Sequence, residues 1–153
     1  MTPEPSRRLS REALWVWRGE QVLGWGIAIV VALAIAAQLD GALAVLVAVL
    51  PVVGLVVGTA LVPPLLWRRW RWEVRPDAID IRHGAFTIRR TLVPMHRVQH
   101  VDTRRNPVEQ ALELATVVVH TAAGSHTIPL LRVRDAAEVR DRIAELARTA
   151  DEP

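Results

Sequence analysis

The sequence predicts a membrane protein in two parts, a hairpin of two transmembrane helices followed by a small α+β domain. Two charge-free apolar runs fill much of the first half of the chain, Gln21 to Leu39 and Gly41 to Trp67. The second half changes to short segments in which apolar and polar residues alternate, and it ends in a segment with helical period. The expected parts are an N-terminal cytoplasmic or interfacial segment at 1–20, the hairpin at 21–67 and the domain at 68–150.

Both apolar runs are long enough to cross a bilayer. A hydrocarbon core of about 30 Å requires roughly 20 apolar residues at about 1.5 Å per residue. The first run has two other interpretations, a cleaved signal peptide and a buried helix of a globular core. The long leader, the second apolar run directly after the first and the lack of charge in both runs favour the hairpin.

Arginine predicts the orientation of the hairpin. All 19 basic residues are arginine, and eight of them flank the two spans while the turn around Asp40 has none. Because basic residues near span ends stay on the cytoplasmic side, we expect a plasma-membrane protein with both termini in the cytoplasm. The flanking residues are Arg7, Arg8, Arg11 and Arg18 before the first span, and Arg68, Arg69, Arg71 and Arg75 after the second.

Six tryptophans lie near the predicted cytoplasmic ends of the spans. An indole is amphipathic and settles at the headgroup level, so we expect these side chains to anchor the hairpin at the membrane interface. They are Trp15, Trp17, Trp25, Trp67, Trp70 and Trp72.

The second span contains the helix-packing pair Gly54 and Gly58, whose G-x-x-x-G spacing permits close approach of another helix. That helix is either the first span or the span of a second protomer. The first span offers small residues at four-residue spacing, namely Gly24, Ala28, Ala32 and Ala36. We expect Pro51 to kink the second span and Pro63-Pro64 to end its regular helix.

Six short strands are predicted in the domain, with turns at Gly, Pro and Asp positions between them. They lie at 70–75, 79–82, 85–93, 98–103, 115–121 and 126–131, with a helical turn from Asn106 to Leu112. A C-terminal helix is expected to begin with a capping box of Asp135 and Glu138. Its apolar face carries Ala136, Val139, Ile143, Leu146 and Ala147, and we expect it to close the antiparallel sheet.

The stretch from Pro94 to Asp102 resembles the P-x-x-R-[IV]-Q-x-V-D signature of the YdbS-like bacterial membrane proteins with a pleckstrin-homology-like (PH-like) domain. Asn106 and Glu113 stand where that family's next motif has glycine. The resemblance implies a PH-like β barrel capped by a helix and implies no known reaction. The matching positions are Pro94, Arg97, Val98, Gln99, Val101, Asp102, Pro107, Thr121 and Gly124.

Catalysis and metal binding are not expected from the motifs. The chain has no cysteine, and Ser125-His126 lacks the G-x-S-x-G turn of an activated serine. His96 and His100 have i, i+4 spacing with Asp102 nearby, but their β-branched neighbours favour a strand over a zinc-binding helix. We therefore predict a non-enzyme with no catalytic residue, cofactor or metal site.

The predicted function is that of an interaction or scaffold subunit, which contacts the bilayer and another membrane protein or a second copy. The alternative is an anionic-lipid sensor. Nucleic-acid binding is disfavoured, since arginine and tryptophan are expected together at a membrane boundary. A transporter subunit is disfavoured, since Asp40 in the turn is the sole ionisable residue of the spans. The candidate lipid or partner surface comprises Arg69, Arg71, Arg89, Arg90, Arg97, Arg104 and Arg105.

Overall fold

A computed structural model describes residues 4–84 and 87–151. The chain divides into two units. The helical unit comprises Leu14–Leu65, and the second unit, which we call the domain, combines Met1–Ala13 with Leu66–Pro153. The domain is therefore built from two pieces of chain that flank the helical unit in sequence.

Two long apolar helices form the helical unit and confirm the predicted hairpin. Helix α1 spans Ala13–Ala36 and helix α2 spans Gly41–Arg69. Both are long and apolar enough to cross a membrane. A short turn at 37–40 joins them, and Gly41 has a φ of 64°, a left-handed conformation that glycine adopts without strain.

The helix boundaries differ from the expected ones. α1 begins at Ala13, well before Gln21, because helical hydrogen bonding extends beyond the apolar run. α2 continues through Pro63-Pro64 to Arg69, so the prediction that this pair ends the helix is wrong. Each proline removes its own amide donor and its ring crowds the carbonyl four residues earlier, but an apolar helix continues where the freed groups find other partners.

The domain contains two three-stranded antiparallel sheets and a C-terminal helix, which confirms the α+β prediction. The first sheet has the order β1-β2-β3 and the second has the order β4-β5-β6. The elements are β1 (Arg71–Val74), β2 (Ala78–His83), β3 (Arg89–Pro94), a 3-10 turn (Met95–Arg97), β4 (Val98–Arg104), α3 (Pro107–Ala111), β5 (Leu114–Thr121), β6 (Gly124–Arg132) and α4 (Val133–Asp151). The strand expected at 85–93 is shorter in the structure, and Ala85 and Phe86 lie outside the described residues.

Helix α4 packs its apolar stripe against the second sheet. Ala136, Val139 and Ile143 are buried, as their spacing predicts. The helix begins at Val133, directly after β6, so the expected start at Asp135 is wrong. The amide of Val133 donates to the carbonyl of Glu113 at 3.1 Å, which gives the first turn a backbone partner in place of an aspartate cap.

Replacement of Ile143 by alanine is expected to lower the free energy of unfolding by about 2–5 kcal/mol, because it leaves a cavity under α4. Chemical unfolding of the detergent-solubilised chain, followed by the loss of sheet circular dichroism, measures this change. Arg142→Ala on the exposed side of the helix is the control and should cost little. Equal destabilisation by the two substitutions would contradict the assigned face.

Candidate functional site

Residues 4–13 pack onto the first sheet, and we call them the N-terminal strap. Arg7 pairs with Trp72 of β1 through two backbone hydrogen bonds with N–O distances of 3.1 and 3.0 Å. The indole N–H of Trp67 donates to the carbonyl oxygens of Leu9 and Ser10, each at 3.1 Å. The strap thus extends the first sheet beyond β1, whereas the sequence grouped these residues in an interfacial segment.

Side chains hold both ends of the strap. Near its start, Glu4 accepts a hydrogen bond from Arg82 of β2 at 2.6 Å. Near its end, the hydroxyl of Ser10 donates to the carbonyl oxygen of Leu130 at 2.5 Å. Leu130 has a φ of 54°, which residues other than glycine rarely adopt, so this bond supports an unusual backbone conformation in β6.

Three of the six tryptophans predicted as interface anchors belong to the domain. Trp72 is 3% exposed and lies in the core of the domain, where other residues of the chain cover its ring. Trp67 binds the strap, and Trp70 stacks on His83 with 4.8 Å between ring centroids. Burial, followed by the charge of Arg89, lowers the pKa of His83, so this stack contains a neutral imidazole at neutral pH.

The other three tryptophans, Trp15, Trp17 and Trp25, lie on α1. Trp15 is 65% exposed, and its role as an anchor stays a prediction. Trp25 instead covers the glycine pair of α2. A methyl group added at Gly54 would overlap its six-membered ring, and one added at Gly58 would lie 2.7 Å from its indole nitrogen.

The glycine pair therefore admits a large side chain of the first span. Gly24, the first member of the small-residue stripe, is not what faces it, since a methyl group at Gly24 would meet no described atom within 4 Å. The indole N–H of Trp25 donates to the side-chain oxygen of Gln21 at 3.1 Å, so its polar edge is bonded as well. This contact joins α1 and α2 within one chain.

A buried carboxylate organises the arginines of the first sheet. Asp80 on β2 is fully buried, and Arg90 donates to both of its oxygens, with the shortest distance 2.6 Å. The hydrogen bond to Asp80 raises the pKa of Arg90. Arg75 lies 3.4 Å from the same carboxylate. One member of the predicted basic surface, Arg90, is thus paired with a buried carboxylate.

The β1–β2 connection is very short. The amide of Arg75 donates to the carbonyl of Ala78 at 2.9 Å, which closes the turn around Asp77. The Arg75 guanidinium also lies 3.2 Å from Glu73. The loop that would have to surround an anionic headgroup therefore has little room and two acidic neighbours.

The connection before β5 explains two departures from the family pattern. Asn106 accepts from the amide of Glu109 at 2.8 Å, and Glu109 accepts in return from the amide of Asn106, which makes a capping box for α3. Glu113 has a φ of 53°, in the left-handed region where glycine is favoured. The backbone therefore keeps the conformation that the family's glycine suits, with glutamate in its place.

The remaining arginines of the predicted surface are distributed over several elements. Arg105 donates to the carbonyl of Leu114 at 3.0 Å and so supports the α3–β5 connection. The other members are exposed or partly exposed, and they lie at the end of α2 (Arg69), on β1 (Arg71), on β3 (Arg89), in the 3-10 turn (Arg97) and on β4 (Arg104).

The signature residues lie at junctions and on one strand. Pro94 ends β3, Pro107 begins α3, and the hydroxyl of Thr121 donates to the carbonyl of Gly124 at 2.9 Å across the β5–β6 turn. Gly124 has a φ of 134°, which requires glycine. The others are Arg97 in the 3-10 turn and Val98, Gln99, Val101 and Asp102 on β4.

The second sheet brings together a group that sequence spacing did not reveal. His100 of β4 lies directly opposite His120 of β5, with 4.3 Å between the ring centroids. Asp102 Oδ2 lies 3.2 Å from His100 Nε2 and 3.4 Å from His120 Nε2. His96, the predicted neighbour of His100, lies apart on the 3-10 turn. His120 is distant in sequence, and only strand register identifies it.

Two apolar helices, two three-stranded antiparallel sheets and a closing C-terminal helix define a membrane protein with a PH-like domain. Residues 22–147 match the family model described as Bacterial PH domain, and the chain belongs to that family.

The chain is also similar to two proteins of Bacillus subtilis (strain 168). It is 34% identical over 161 aligned positions to the UPF0699 transmembrane protein YdbS, covering 99% of both chains. It is 25% identical over 79 positions to the UPF0699 transmembrane protein YdbT, which covers 52% of this chain and 16% of that protein. No solved structure matches the chain significantly.

Substitution of Gly54 by alanine is expected to destabilise the helical unit by about 1–3 kcal/mol, because the added methyl group displaces the Trp25 ring. Unfolding of the purified chain in a detergent titration with SDS measures the change. Gly24→Ala is the matched control and should be tolerated. In a Trp25→Ala background the Gly54→Ala penalty should largely disappear. A penalty that persists without Trp25, with loss of a dimer, would assign the glycines to a second protomer.

Proposed function

We propose that the protein is a non-catalytic interaction module at the cytoplasmic face of the plasma membrane, where its domain binds another membrane protein. The observation that most supports this is the exposed edge strand β3. Leu92 on β3 is 49% exposed, and Ile88 just before it is 48% exposed. Edge strands with exposed apolar side chains are typical sites at which a partner adds a strand.

The surface beside this edge is positively charged. Arg71, Arg82 and Arg90 lie directly opposite one another across the three strands of the first sheet. Like charges in such positions repel. Burial and the nearby charges of Arg8 and Arg82 lower the pKa of Arg71. The partner that fits this surface is an extended segment with apolar side chains and carboxylates.

A lipid headgroup is the second candidate, because the same arginine row attracts any anion. Glu4 and Asp80 already pair with Arg82 and Arg90, however, and the β1–β2 connection leaves little room for a headgroup. The exposed apolar residues beside the row are better matched by a protein segment than by a hydrated headgroup. These contacts favour the protein partner.

Three side chains of the second sheet resemble the serine, histidine and aspartate of a hydrolase. The Ser125 hydroxyl lies 3.1 Å from Nδ1 of His120, whose Nε2 lies 3.4 Å from Asp102. Acyl transfer also needs placed donors for an oxyanion and a site that excludes water. These side chains lie on the outer face of a sheet, and that of Asp102 is 55% exposed. An open face of this kind does not support hydrolysis.

The strap also bears on membrane topology. Residues 4–13 and the chain from Leu66 onward pack into one domain, so the chain must enter and leave the hairpin on the same side of the membrane. The flanking arginines support the cytoplasm as that side in this proposal.

Topology can be measured with reporters that are active only outside the cytoplasm. A fusion at Pro153 should be silent, and an insertion in the turn at Asp40 should be active, because the turn is the external end of the hairpin. The same pair of reporters that function only in the cytoplasm is the control and should give the reverse pattern. Activity of the external reporter at Pro153 would contradict the proposed orientation.

The partner surface can be tested with Leu92→Glu in the full-length chain, captured from native membranes and analysed by quantitative mass spectrometry. A specific membrane-protein partner should be depleted about tenfold or more from the captured material. Burying an unpaired charge in the interface weakens the free energy of binding by more than about 1.4 kcal/mol. Val108→Glu is the matched control, because Val108 is 52% exposed on α3, and it should leave the partner bound.

The lipid alternative gives a different result in the same preparations. If anionic lipid is the ligand, Leu92→Glu leaves the captured proteins unchanged, and Arg71→Glu with Arg82→Glu removes phospholipid that otherwise co-purifies. Equal protein capture by wild type, Leu92→Glu and Val108→Glu, with that loss of lipid, would overturn the interaction proposal.

A further inference from the structure

The outer face of the second sheet carries a convergent set of donor atoms. Strand alternation places His100 and Asp102 of β4 on the same face as His120 of β5. One potential ligand atom from each residue lies within 4.8 Å of the others. Two imidazoles and one carboxylate make the donor set that zinc accepts in sites with an open coordination position.

The distances between the donors fit such an ion. Zn²⁺ binds nitrogen and oxygen at about 2.0–2.2 Å, so two donors on a tetrahedral edge are about 3.4 Å apart. The Asp102 oxygen lies 3.2 Å from Nε2 of His100 and 3.4 Å from Nε2 of His120. Two of the three edges therefore already have the required length.

The third edge requires a small movement. The two imidazoles are nearly parallel, with 8° between their planes, and both Nε2 atoms face the same oxygen of Asp102. A rotation of one ring makes them converge, and the imidazole torsion is broad and soft. The side chain of His100 is 60% exposed, so its ring can rotate without displacing core residues.

The neighbouring strand supplies a partner for the other nitrogen of His120. The Ser125 oxygen on β6 lies 3.1 Å from His120 Nδ1. When Nδ1 carries the proton and the serine oxygen accepts it, Nε2 keeps its lone pair for a metal. Partners of this kind fix the tautomer and orientation of histidine ligands.

We propose that His100, Asp102 and His120 form a surface site for a divalent transition metal ion, with Zn²⁺ the best match and water completing the coordination. The inference is independent of the β3 partner surface, because the residues lie on different sheets. Mg²⁺ is a poor match, since it prefers six oxygen ligands in octahedral geometry.

The test is a zinc titration of the full-length chain in detergent, purified through a tag without histidine and stripped with a chelator. Competition with a chromophoric zinc ligand at neutral pH should give one ion per chain. His100→Ala and His120→Ala should each weaken binding at least about tenfold, and Ser125→Ala by a smaller factor. His96→Ala is the matched control, being exposed outside the cluster, and should bind like wild type.

Two further measurements, Co²⁺ spectroscopy and thermal unfolding without metal, separate loss of the site from loss of the fold. Co²⁺ in place of Zn²⁺ should give visible ligand-field bands that disappear in His120→Ala, and excess Mg²⁺ should not displace either ion. Thermal melts of the variants without metal should match wild type, because the substituted side chains are exposed or half-exposed. Zinc affinity equal in wild type, His100→Ala and His120→Ala, or lost instead in His96→Ala, would overturn the site.

Discussion

The backbone pairing of Arg7 with Trp72 is the constraint on which the architecture depends. It adds the N-terminal strap to the β1 edge, so amides and carbonyls that would otherwise face outward gain partners. The indole of Trp67 fixes the next residues of the strap. The domain is thus discontinuous in sequence, with both apolar helices inserted between its two pieces. The inserted segment must begin and end at the same domain. An even number of membrane spans permits this, because it brings the chain back to the side from which it left.

Buried charge decides which arginines are available at the surface. Asp80 lies on the outer side of the first sheet, yet it is fully buried because arginine side chains cover it. An unpaired carboxylate at such a position would be costly, and the guanidinium of Arg90 offsets that cost with a two-pronged hydrogen bond. Counting charges along the sequence therefore overstates the positive field of this face. The β3 edge beside Leu92 combines exposed apolar side chains with the positive charge that the ion pairs of Asp80 do not neutralise.

The sequence predicts the elements well where one physical signal dominates. Absence of charge over a long run identifies both helices, and alternation locates the strands, since each reflects burial on a known period. The strap gives no such signal, because its few backbone bonds depend on a distant strand. Trp72 shows the same limit, since its closeness to a span end suggested the interface and tertiary packing placed it in the core. The pairing of His100 with His120 follows from register between β4 and β5, which spacing along one strand cannot supply.

The discontinuous domain also has a consequence for biosynthesis. Ser10 contacts Leu130 across a sequence separation of 120 residues, and the Trp67 contact with Leu9 spans 58. The strap residues are therefore translated before their partners, and they cannot make these contacts until both helices and the strands have been made. Closing so large a loop is costly in chain entropy, and anchored ends shorten the effective search. Both helices are thus translated before the two pieces of the domain can meet, and the domain is completed only after the whole hairpin has been made.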